Sequence, residues 1–312
     1  MAHLRSFRFG VQLTHPLGDR SWADTARYLE SLGYDALHLP DHFGDQLAPM
    51  PAMMAAAAAT TDLKVGALVL DNDYKHPVVT AKELATIDVL SGGRVEVGLG
   101  AGWMTSDYDQ SGIPLDPPGV GVSRLEEGIA VMKRLFSGDP VDFDWDHYQL
   151  SGLEGTPAPV QRPHPPFLIG GGGKRVLSIA AQEADIVGIN PSMKAGVIGP
   201  DAAADATAEA TDRKVGWVRD VAGDRWERIE INMLVMAAVS TDDRPGTAAM
   251  MGELFGVDAE AALEVPHVWI GSDDEICADL EARRDRWGVS YYVLQGDSCE
   301  AMASVVQRLT GS

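Results

Sequence analysis

Short apolar runs alternate with helical patterns along most of this chain, and that alternation constrains its fold more than any other feature. Most of the apolar runs are followed by a helical pattern, which requires parallel strands joined by crossover helices. Eight such units within 312 residues predict a closed (β/α)8 barrel. The predicted strands are Phe7–Thr14, Tyr34–Pro40, Leu63–Leu70, Arg94–Gly100, Phe167–Gly170, Asp185–Ile189, Glu230–Ser240 and Tyr291–Gln295.

An open, doubly wound α/β sheet is the competing fold, and the first strand lacks the GxGxxG sequence typical of that class. We expect one domain over residues 1–312, with an irregular insertion at about 137–166 that contains two short strands. Ser21 and Ser272 are predicted helix N-caps. Helices are predicted near residues 22–32, 50–60, 76–90, 122–136, 174–183, 200–226, 245–264, 272–287 and 299–309.

The charge balance limits the partners of this protein. Its formal net charge of −21 argues against nucleic acid and against anionic membrane surfaces. The apolar stretch at 50–59 is too short for a membrane span. Cys277 and Cys299 form no CxxC pair, and Met1–Ser6 is not followed by the apolar segment of a secretion signal. These features predict reduced thiols in a cytoplasmic protein.

Two histidines near strand ends are candidates for chemistry, because the active site of a (β/α)8 barrel lies at the carboxyl ends of its strands. Asp41-His42 follows the second strand and is an acid–base candidate; a capping carboxylate beside an exposed histidine is the alternative. His15 is a weaker candidate of the same kind, and His38 within the strand is predicted to be a hydrogen-bonded barrel residue. No HExxH spacing occurs, so no metal is predicted.

Glycines cluster at two strand ends. Gly170–Gly173 lies between a strand and a helix and is followed by Lys174 and Arg175, which indicates a phosphate site or, alternatively, a tight turn with two solvated cations. Gly98, Gly100 and Gly102 alternate, leaving room for a flat ligand or for close packing. Four aromatic residues after strand ends are candidates for a pocket wall, although isolated aromatics usually belong to a core: Phe43, Tyr74, Trp103 and Tyr108.

These motifs together resemble the luciferase-like monooxygenase family, and within it the actinobacterial branch that uses the deazaflavin coenzyme F420. The matching stretches are YDALHLPDHF (34–43), LKVGALVLDNDYKHPVVTAKELATIDVLSGGRVEVGLGAGW (63–103), GIPLDPPGVGVSRLEEGIAVMKRLFSG (112–138) and RPHPPFLIGGGGKRVLSIAAQEADIVGIN (162–190). The resemblance implies a (β/α)8 barrel with insertions, a tricyclic cofactor ring at its mouth and, often, a homodimer.

The resemblance also implies roles for individual residues. A non-proline cis peptide is expected at Ala67–Leu68 or one residue later. Asp41 would contact the ring, and His42 matches a histidine that acts as acid or base in a sugar-phosphate dehydrogenase of the family. The remaining implied cofactor contacts are Leu70, Asn72, Ala101 and Gly102 along the ring, and Gly172, Gly173, Arg175 and Val176 at the phosphate.

The chain departs from that dehydrogenase at three positions. Trp103 stands where the dehydrogenase has a catalytic glutamate, Gln46 stands in place of a tryptophan, and the sugar-phosphate lysine falls near Met193. We therefore do not predict a sugar-phosphate substrate. A more apolar pocket is expected instead, lined by His15, Trp103, Tyr108 and Asn190.

The leading functional hypothesis is hydride transfer between coenzyme F420 and a small organic substrate, with His42 moving the proton. An FMN-dependent monooxygenase of the same fold is the second hypothesis. A non-catalytic barrel that stores flavin or another ligand is the third, and a barrel enzyme that acts on a phosphate-bearing substrate without a redox cofactor is a distant fourth.

Overall fold

Eight parallel strands close into a barrel in the computed structural model, which describes residues 5–312 apart from the side chain of Leu254. The strands of the described residues, inside and outside the barrel, are β1 (Arg8–Gln12), β2 (Ala36–Leu39), β3 (Lys64–Ala67), β4 (Leu70–Asp71), β5 (Val95–Gly100), β6 (Pro140–Asp144), β7 (Gln149–Glu154), β8 (Phe167–Gly171), β9 (Ile186–Ile189), β10 (Glu230–Val235), β11 (Ala237–Ser240), β12 (Val268–Gly271) and β13 (Val289–Gln295). Most of the segment Met1–Ser6, interpreted above as lacking a secretion signal, lies outside the described residues.

The strand order runs β3-β2-β1-β13-β10-β9-β8-β5, with β4 continuing β3 alongside β5. A further pairing joins β3 to β5, with Val65 opposite Val95, and closes the sheet on itself. Every pairing within the barrel is parallel, as the crossover connections require. The predicted (β/α)8 barrel is therefore confirmed, and the open doubly wound alternative is wrong.

Helices follow most barrel strands and pack on the outside. They are α1 (Trp22–Leu32), α2 (Pro49–Ala59), α3 (Pro77–Ser91), α4 (Thr105–Ser111), α5 (Pro118–Ser137), α6 (Lys174–Glu183), α7 (Pro200–Ala204), α8 (Ala208–Ala222), α9 (Arg244–Phe255), α10 (Ala259–Glu264), α11 (Asp273–Trp287) and α12 (Ala303–Leu309). Both predicted N-caps are confirmed: the Ser21 hydroxyl accepts from the Asp24 backbone N–H, and Ser272 forms a capping box with Glu275.

Two predicted strands are interrupted in the structure. Leu63–Leu70 was expected to be one strand, but it divides into β3 and β4 around Leu68 and Val69. Glu230–Ser240 divides into β10, which stays in the barrel, and β11, which leaves it to pair with β12. The strand β12, between α10 and α11, was not predicted from the sequence.

Several helix predictions also differ from the structure. The single helix expected over 245–264 ends at Gly256, whose left-handed backbone (φ 70°) separates α9 from α10. The last helix begins at Ala303, not at Cys299, and α5 begins four residues before the predicted 122. The short helix α4 lies where no helix was predicted.

The segment 137–166 contains the two short strands that were expected there. They pair as the antiparallel hairpin β6–β7 outside the barrel.

At the end of the barrel where the strands begin, the interior is charged: the Arg8 guanidinium contacts Glu96 at 2.6 Å and Glu230 at 2.7 Å. His38 is fully buried and its Nε2 lies 2.6 Å from the Tyr291 hydroxyl, which confirms its predicted role as a hydrogen-bonded barrel residue.

Candidate active site

A histidine and an aspartate meet at the mouth of the barrel, the end at which the strands' carboxyl ends lie. His42 follows β2, and its Nδ1 lies 2.7 Å from Oδ2 of Asp107, which is carried by α4 after β5. The Tyr74 hydroxyl donates to the same Oδ2 at 3.0 Å, and the Phe43 backbone N–H donates to Oδ1 at 3.4 Å. A carboxylate that orients an imidazole is a recurrent arrangement in proton-transfer sites.

Aromatic side chains surround this pair. The Trp103 ring lies edge-on to the His42 ring, with centroids 5.6 Å apart and an interplanar angle of 89°. Phe43 and Tyr74 pack together with centroids 4.5 Å apart, and Phe43 is half exposed. Three of the four aromatics singled out from the sequence therefore border the His42–Asp107 pair, where they form an apolar edge to the mouth.

Tyr108, the fourth aromatic, does not line an open pocket. Its side chain is only 2% exposed, and its hydroxyl donates to Asp71 at 2.8 Å and lies 3.3 Å from Asp73. Direct contact between Tyr108 and a substrate stays a prediction, and here the side chain is buried against Asp71. Tyr108 instead packs beside Gly102. A Cβ added at Gly102 would lie 1.8 Å from the Tyr108 hydroxyl oxygen.

Three carboxylates after β2 and β4 are partly withdrawn from water. Asp41 Oδ2 accepts from the Asp71 backbone N–H at 3.1 Å, and Asp71 Oδ1 accepts from the Asp73 backbone N–H at 2.9 Å. Burial raises the pKa of Asp71 to about 6, and it also raises the pKa values of Asp41 and Asp73. A pocket of about 200 Å³ lies here, with Asp41, Leu70, Asn72 and Tyr74 among its lining residues.

The break between β3 and β4 forms the adjoining wall. The Leu68–Val69 peptide is cis, at the second of the two positions that the resemblance implies. A Cβ at Gly98 would lie 1.8 Å from the Ala67 carbonyl oxygen, and one at Gly100 would lie 2.6 Å from Val69 Cγ2. These glycines therefore allow β5 to pack closely against this break. The Ala67 carbonyl and the Val69 side chain fill the space that a flat ligand would need.

The structure places the implied ring contacts around the same wall. Ala67, Leu68 and Leu70 are buried, and Ala101 is partly exposed. Asn72 is also buried; its Nδ2 donates to the Tyr148 hydroxyl at 3.1 Å. The Asn72 side chain is therefore held between the barrel and the hairpin.

The proposed phosphate cradle lies at the start of α6. Gly173 is the N-cap residue and provides no side-chain cap, and a Cβ at this position would meet nothing within 4 Å. Gly172 packs against the Pro191 backbone, and Val176 packs against Gly171. The Arg175 guanidinium, half exposed, donates to the Gly119 carbonyl at 2.8 Å and to the Ser123 hydroxyl at 2.9 Å. The cradle therefore combines open backbone at Gly173 with a cation anchored on α5.

The two remaining pocket residues lie on different sides of the mouth. His15, after β1, is exposed, and its Nε2 lies 2.8 Å from the Asp45 carbonyl oxygen. Asn190, after β9, is partly exposed; a Cβ at Gly170 would lie 3.3 Å from its Nδ2. The Asn190 carbonyl accepts from the buried ammonium of Lys214 at 2.9 Å, which also pairs with Asp205 at 2.7 Å.

Sequence reasoning missed Asp107 and Lys214. Asp107 lies 65 residues from His42, and no local spacing connects the two. The available signal was the DYD run just beyond the fourth predicted strand, where any polar residue is a candidate. Lys214 gave no signal, because one lysine in a helical pattern is ordinarily a surface residue.

Other sequence expectations concern the molecule as a whole. Cys277 and Cys299 are both buried and free. Within the described part of the chain, every helix is too short or too polar to cross a membrane. Among the same residues, no three His, Cys, Asp or Glu side chains gather in an arrangement that could hold a metal ion.

Two curated relatives of this chain have names that state different cofactors. The chain is 34% identical over 131 residues to an FMNH2-dependent dimethylsulfone monooxygenase of Pseudomonas putida, covering 42% of this chain and 36% of the relative. It is 30% identical over 163 residues to an F420-dependent glucose-6-phosphate dehydrogenase of Amycolatopsis mediterranei, covering 50% of this chain and 49% of the relative. The matches thus span half or less of these two relatives.

Solved structures agree on the fold over nearly the full length. The coenzyme F420 dependent tetrahydromethanopterin reductase from Methanopyrus kandleri superposes with a TM-score of 0.76 at 18% identity, covering 98% of this chain and 99% of the reductase. The sequence pattern described as luciferase-like monooxygenase matches residues 3–222, which is well over half of the chain. This protein therefore belongs to the luciferase-like monooxygenase family.

Proposed function

We propose that this protein is an oxidoreductase that transfers a hydride between coenzyme F420 and a small organic substrate. The observation that carries the proposal is the His42–Asp107 pair, 2.7 Å apart at the barrel mouth. Hydride transfer to a carbonyl, or from an alcohol, requires a proton to move as well. A histidine held by a carboxylate is suited to accept and return that proton.

The chain's residues fit an anionic coenzyme at the start of α6. The first backbone N–H groups of a helix lack intrahelical partners. The N-cap residue here is Gly173, which has no side chain to accept from them. The partial positive charge of the helix start favours a phosphate. Lys174 adds a full positive charge, and Arg175 adds another that lies 3.7 Å from the Glu126 carboxylate. When bound, the coenzyme supplies the ring carbon that accepts or gives the hydride.

The other residues of the mouth would position the reactants. Asp41 is held by the Asp71 backbone N–H and is the carboxylate expected to contact the ring. Trp103 fixes one side of the His42 ring and presents an apolar surface to the substrate. With no lysine at Met193, the same surface favours a substrate without a phosphate group.

The two curated relatives support different cofactors. The F420-dependent dehydrogenase is 30% identical to this chain and supports the leading proposal. The monooxygenase, which is 34% identical, makes an FMN-dependent monooxygenase the second candidate. Both candidates place a tricyclic ring at the same mouth, so cofactor binding separates them.

The test is a fluorescence titration of the purified protein with F420 and, in parallel, with FMN. We expect F420 to bind and FMN to bind at least tenfold more weakly. Asp41→Ala and Arg175→Ala should each raise the dissociation constant for F420, the second through lost phosphate contacts. Arg219→Ala is the matched control, because Arg219 lies in the last turn of α8, at the opposite end of the barrel.

Binding of FMN alone would overturn the F420 proposal in favour of the monooxygenase. Binding of neither cofactor would reject both. Unchanged dissociation constants in both site variants would show that the site is elsewhere. Turnover of any substrate by the loaded protein would exclude a purely storage role.

We also propose that the protein is a homodimer, as the family resemblance implies. Light scattering during gel filtration should then give twice the chain mass of 33.4 kDa. A monomer mass would reject this part of the proposal.

A further inference from the structure

We propose that Asp107 is a positioning residue that fixes His42 in the tautomer able to accept a proton at Nε2. This inference rests on the proposed function, in which His42 moves the proton that accompanies hydride transfer. It concerns a residue that neither the sequence motifs nor the family resemblance indicated, and it makes a statement about His42 that holds before any cofactor is bound.

The hydrogen-bond pattern around Asp107 determines the direction of the His42 contact. The Tyr74 hydroxyl and the Phe43 backbone N–H are both directed at the Asp107 carboxylate. An ionised carboxylate has only acceptor atoms, so the third group that contacts it, His42 Nδ1, must carry a hydrogen. In neutral imidazole one nitrogen carries the hydrogen and the other has a lone pair. Nε2 of His42 is therefore the acceptor nitrogen.

The Nε2 atom is available for a substrate. Within residues 5–312, no side chain or backbone group forms a hydrogen bond with it. The His42 side chain is 25% exposed, whereas the Asp107 side chain is 7% exposed. The imidazole is thus the more exposed of the two groups, and the carboxylate that holds it is largely shielded from solvent.

The ring orientation is fixed from two directions. Asp107 holds Nδ1, and Trp103 packs edge-on against the ring at 5.6 Å. By the family resemblance, Trp103 stands where a sugar-phosphate dehydrogenase of the family has a glutamate. In this chain the carboxylate of Asp107, four residues later, contacts His42 instead. The site therefore keeps a carboxylate, but the group beside the substrate is the apolar ring of Trp103.

For an alcohol substrate, His42 Nε2 would accept the hydroxyl proton while the substrate carbon gives up its hydride to the bound coenzyme, so that the carbon–oxygen single bond becomes a carbonyl. His42 then carries a positive charge, which the adjacent Asp107 carboxylate stabilises. In the reverse direction the same proton returns from Nε2 to the carbonyl oxygen as the hydride arrives at carbon.

Nitrogen-15 NMR of the histidines in the cofactor-free protein is the first measurement. The His42 signals are identified by their loss in His42→Gln. At a pH where the ring is neutral, they should show a protonated Nδ1 and an unprotonated Nε2. A signal from a protonated Nε2 and an unprotonated Nδ1 would overturn the proposal without any aspartate variant. This readout is independent of cofactor identity and of activity.

Asp107→Asn tests the positioning role directly. The amide has one acceptor oxygen, and its NH2 group would face either the Phe43 N–H or His42 Nδ1. Placing the NH2 group against Nδ1 requires the other tautomer, so we expect the Nε2-protonated form to appear in the NMR spectrum. With any substrate that is turned over, kcat should fall by about 10²- to 10⁴-fold, the range for a lost acid–base group. The KM and the dissociation constant for F420 should change less than about threefold.

Two control variants separate positioning from general damage to the fold. Asp109→Asn makes the same chemical change at an exposed position of the same helix and should leave both readouts unchanged. Tyr74→Phe removes another donor from Asp107 Oδ2 and should leave the His42 tautomer as it is. An unchanged tautomer and kcat in Asp107→Asn would refute the proposal. Failure of F420 to bind to the wild-type protein would instead refute the proposed function, while leaving the NMR result standing.

Discussion

Replacement of Gly98 by alanine should destabilise the barrel more than any other single methyl group added to β5. A Cβ at this position would lie 1.8 Å from the Ala67 carbonyl oxygen and 2.9 Å from its carbonyl carbon. Carbon and oxygen atoms that are not bonded do not approach below about 3 Å, so one strand must move by roughly 1 Å. The obstacle is backbone, which no side-chain rotation can clear.

The expected magnitude follows from the rigidity of both partners. Overpacking a filled interior typically costs about 1–3 kcal/mol. Because β3 and β5 are paired to each other and both lie in the closed barrel, we expect Gly98→Ala to lose about 3 kcal/mol of unfolding free energy. Urea unfolding followed by circular dichroism and tryptophan fluorescence would measure the loss.

Two further variants give the measurement its controls. Gly100→Ala places its Cβ 2.6 Å from Val69 Cγ2, a side-chain atom, so Gly100→Ala combined with Val69→Ala should recover most of the stability lost by Gly100→Ala alone. Gly216→Ala adds a methyl group in the middle of α8, where nothing lies within 4 Å, and should stabilise the protein by about 0.5–1 kcal/mol. A Gly98→Ala protein within about 0.5 kcal/mol of wild type would refute the close packing of β5 on the β3–β4 break.

Two other predictions concern buried charges. Burial raises the pKa of Asp71 to about 6, so its neutral form contributes stability that is present below about pH 4 and lost as the pH rises through 6. Asp71→Asn stays neutral, so its stability relative to wild type should rise by about 1–3 kcal/mol between pH 4 and pH 7 in urea unfolding; an equal difference at both pH values would contradict the burial of this carboxyl. Lys214→Met leaves the Asp205 carboxylate without its buried partner and should cost about 3 kcal/mol, with faster proteolysis of the segment after Asn190. Lys214→Met combined with Asp205→Asn should recover part of that loss. Equal stability of the single variant Lys214→Met and this double variant would argue against the ion pair.

Local patterns in the sequence predicted the architecture because each barrel unit is specified within about 30 residues. Apolar runs identified all eight barrel strands, and Ser21 and Ser272 marked helix starts through contacts with residues three positions away. The second strand end supplied Asp41 and His42 for the same reason: a parallel barrel brings its strand ends together whatever residues they carry.

Tertiary contacts decided what those residues do. Asp107 reaches His42 across 65 residues, and Tyr108 is turned inward toward Asp71 although it follows a strand end like Trp103. The spacing of the glycines in β5 was compatible with room for a flat ligand or with close packing. Only the position of the Ala67 carbonyl decides for close packing.

The sequence by itself thus determined the fold class and the end of the barrel at which chemistry can occur. Only the tertiary structure decided which carboxylate holds His42, which aromatic rings remain at the mouth, and where β11 leaves the barrel to pair with β12. The physical reason is that hydrophobic periodicity is a local property of the chain, whereas hydrogen-bond partners and van der Waals contacts depend on distances between segments that the sequence separates.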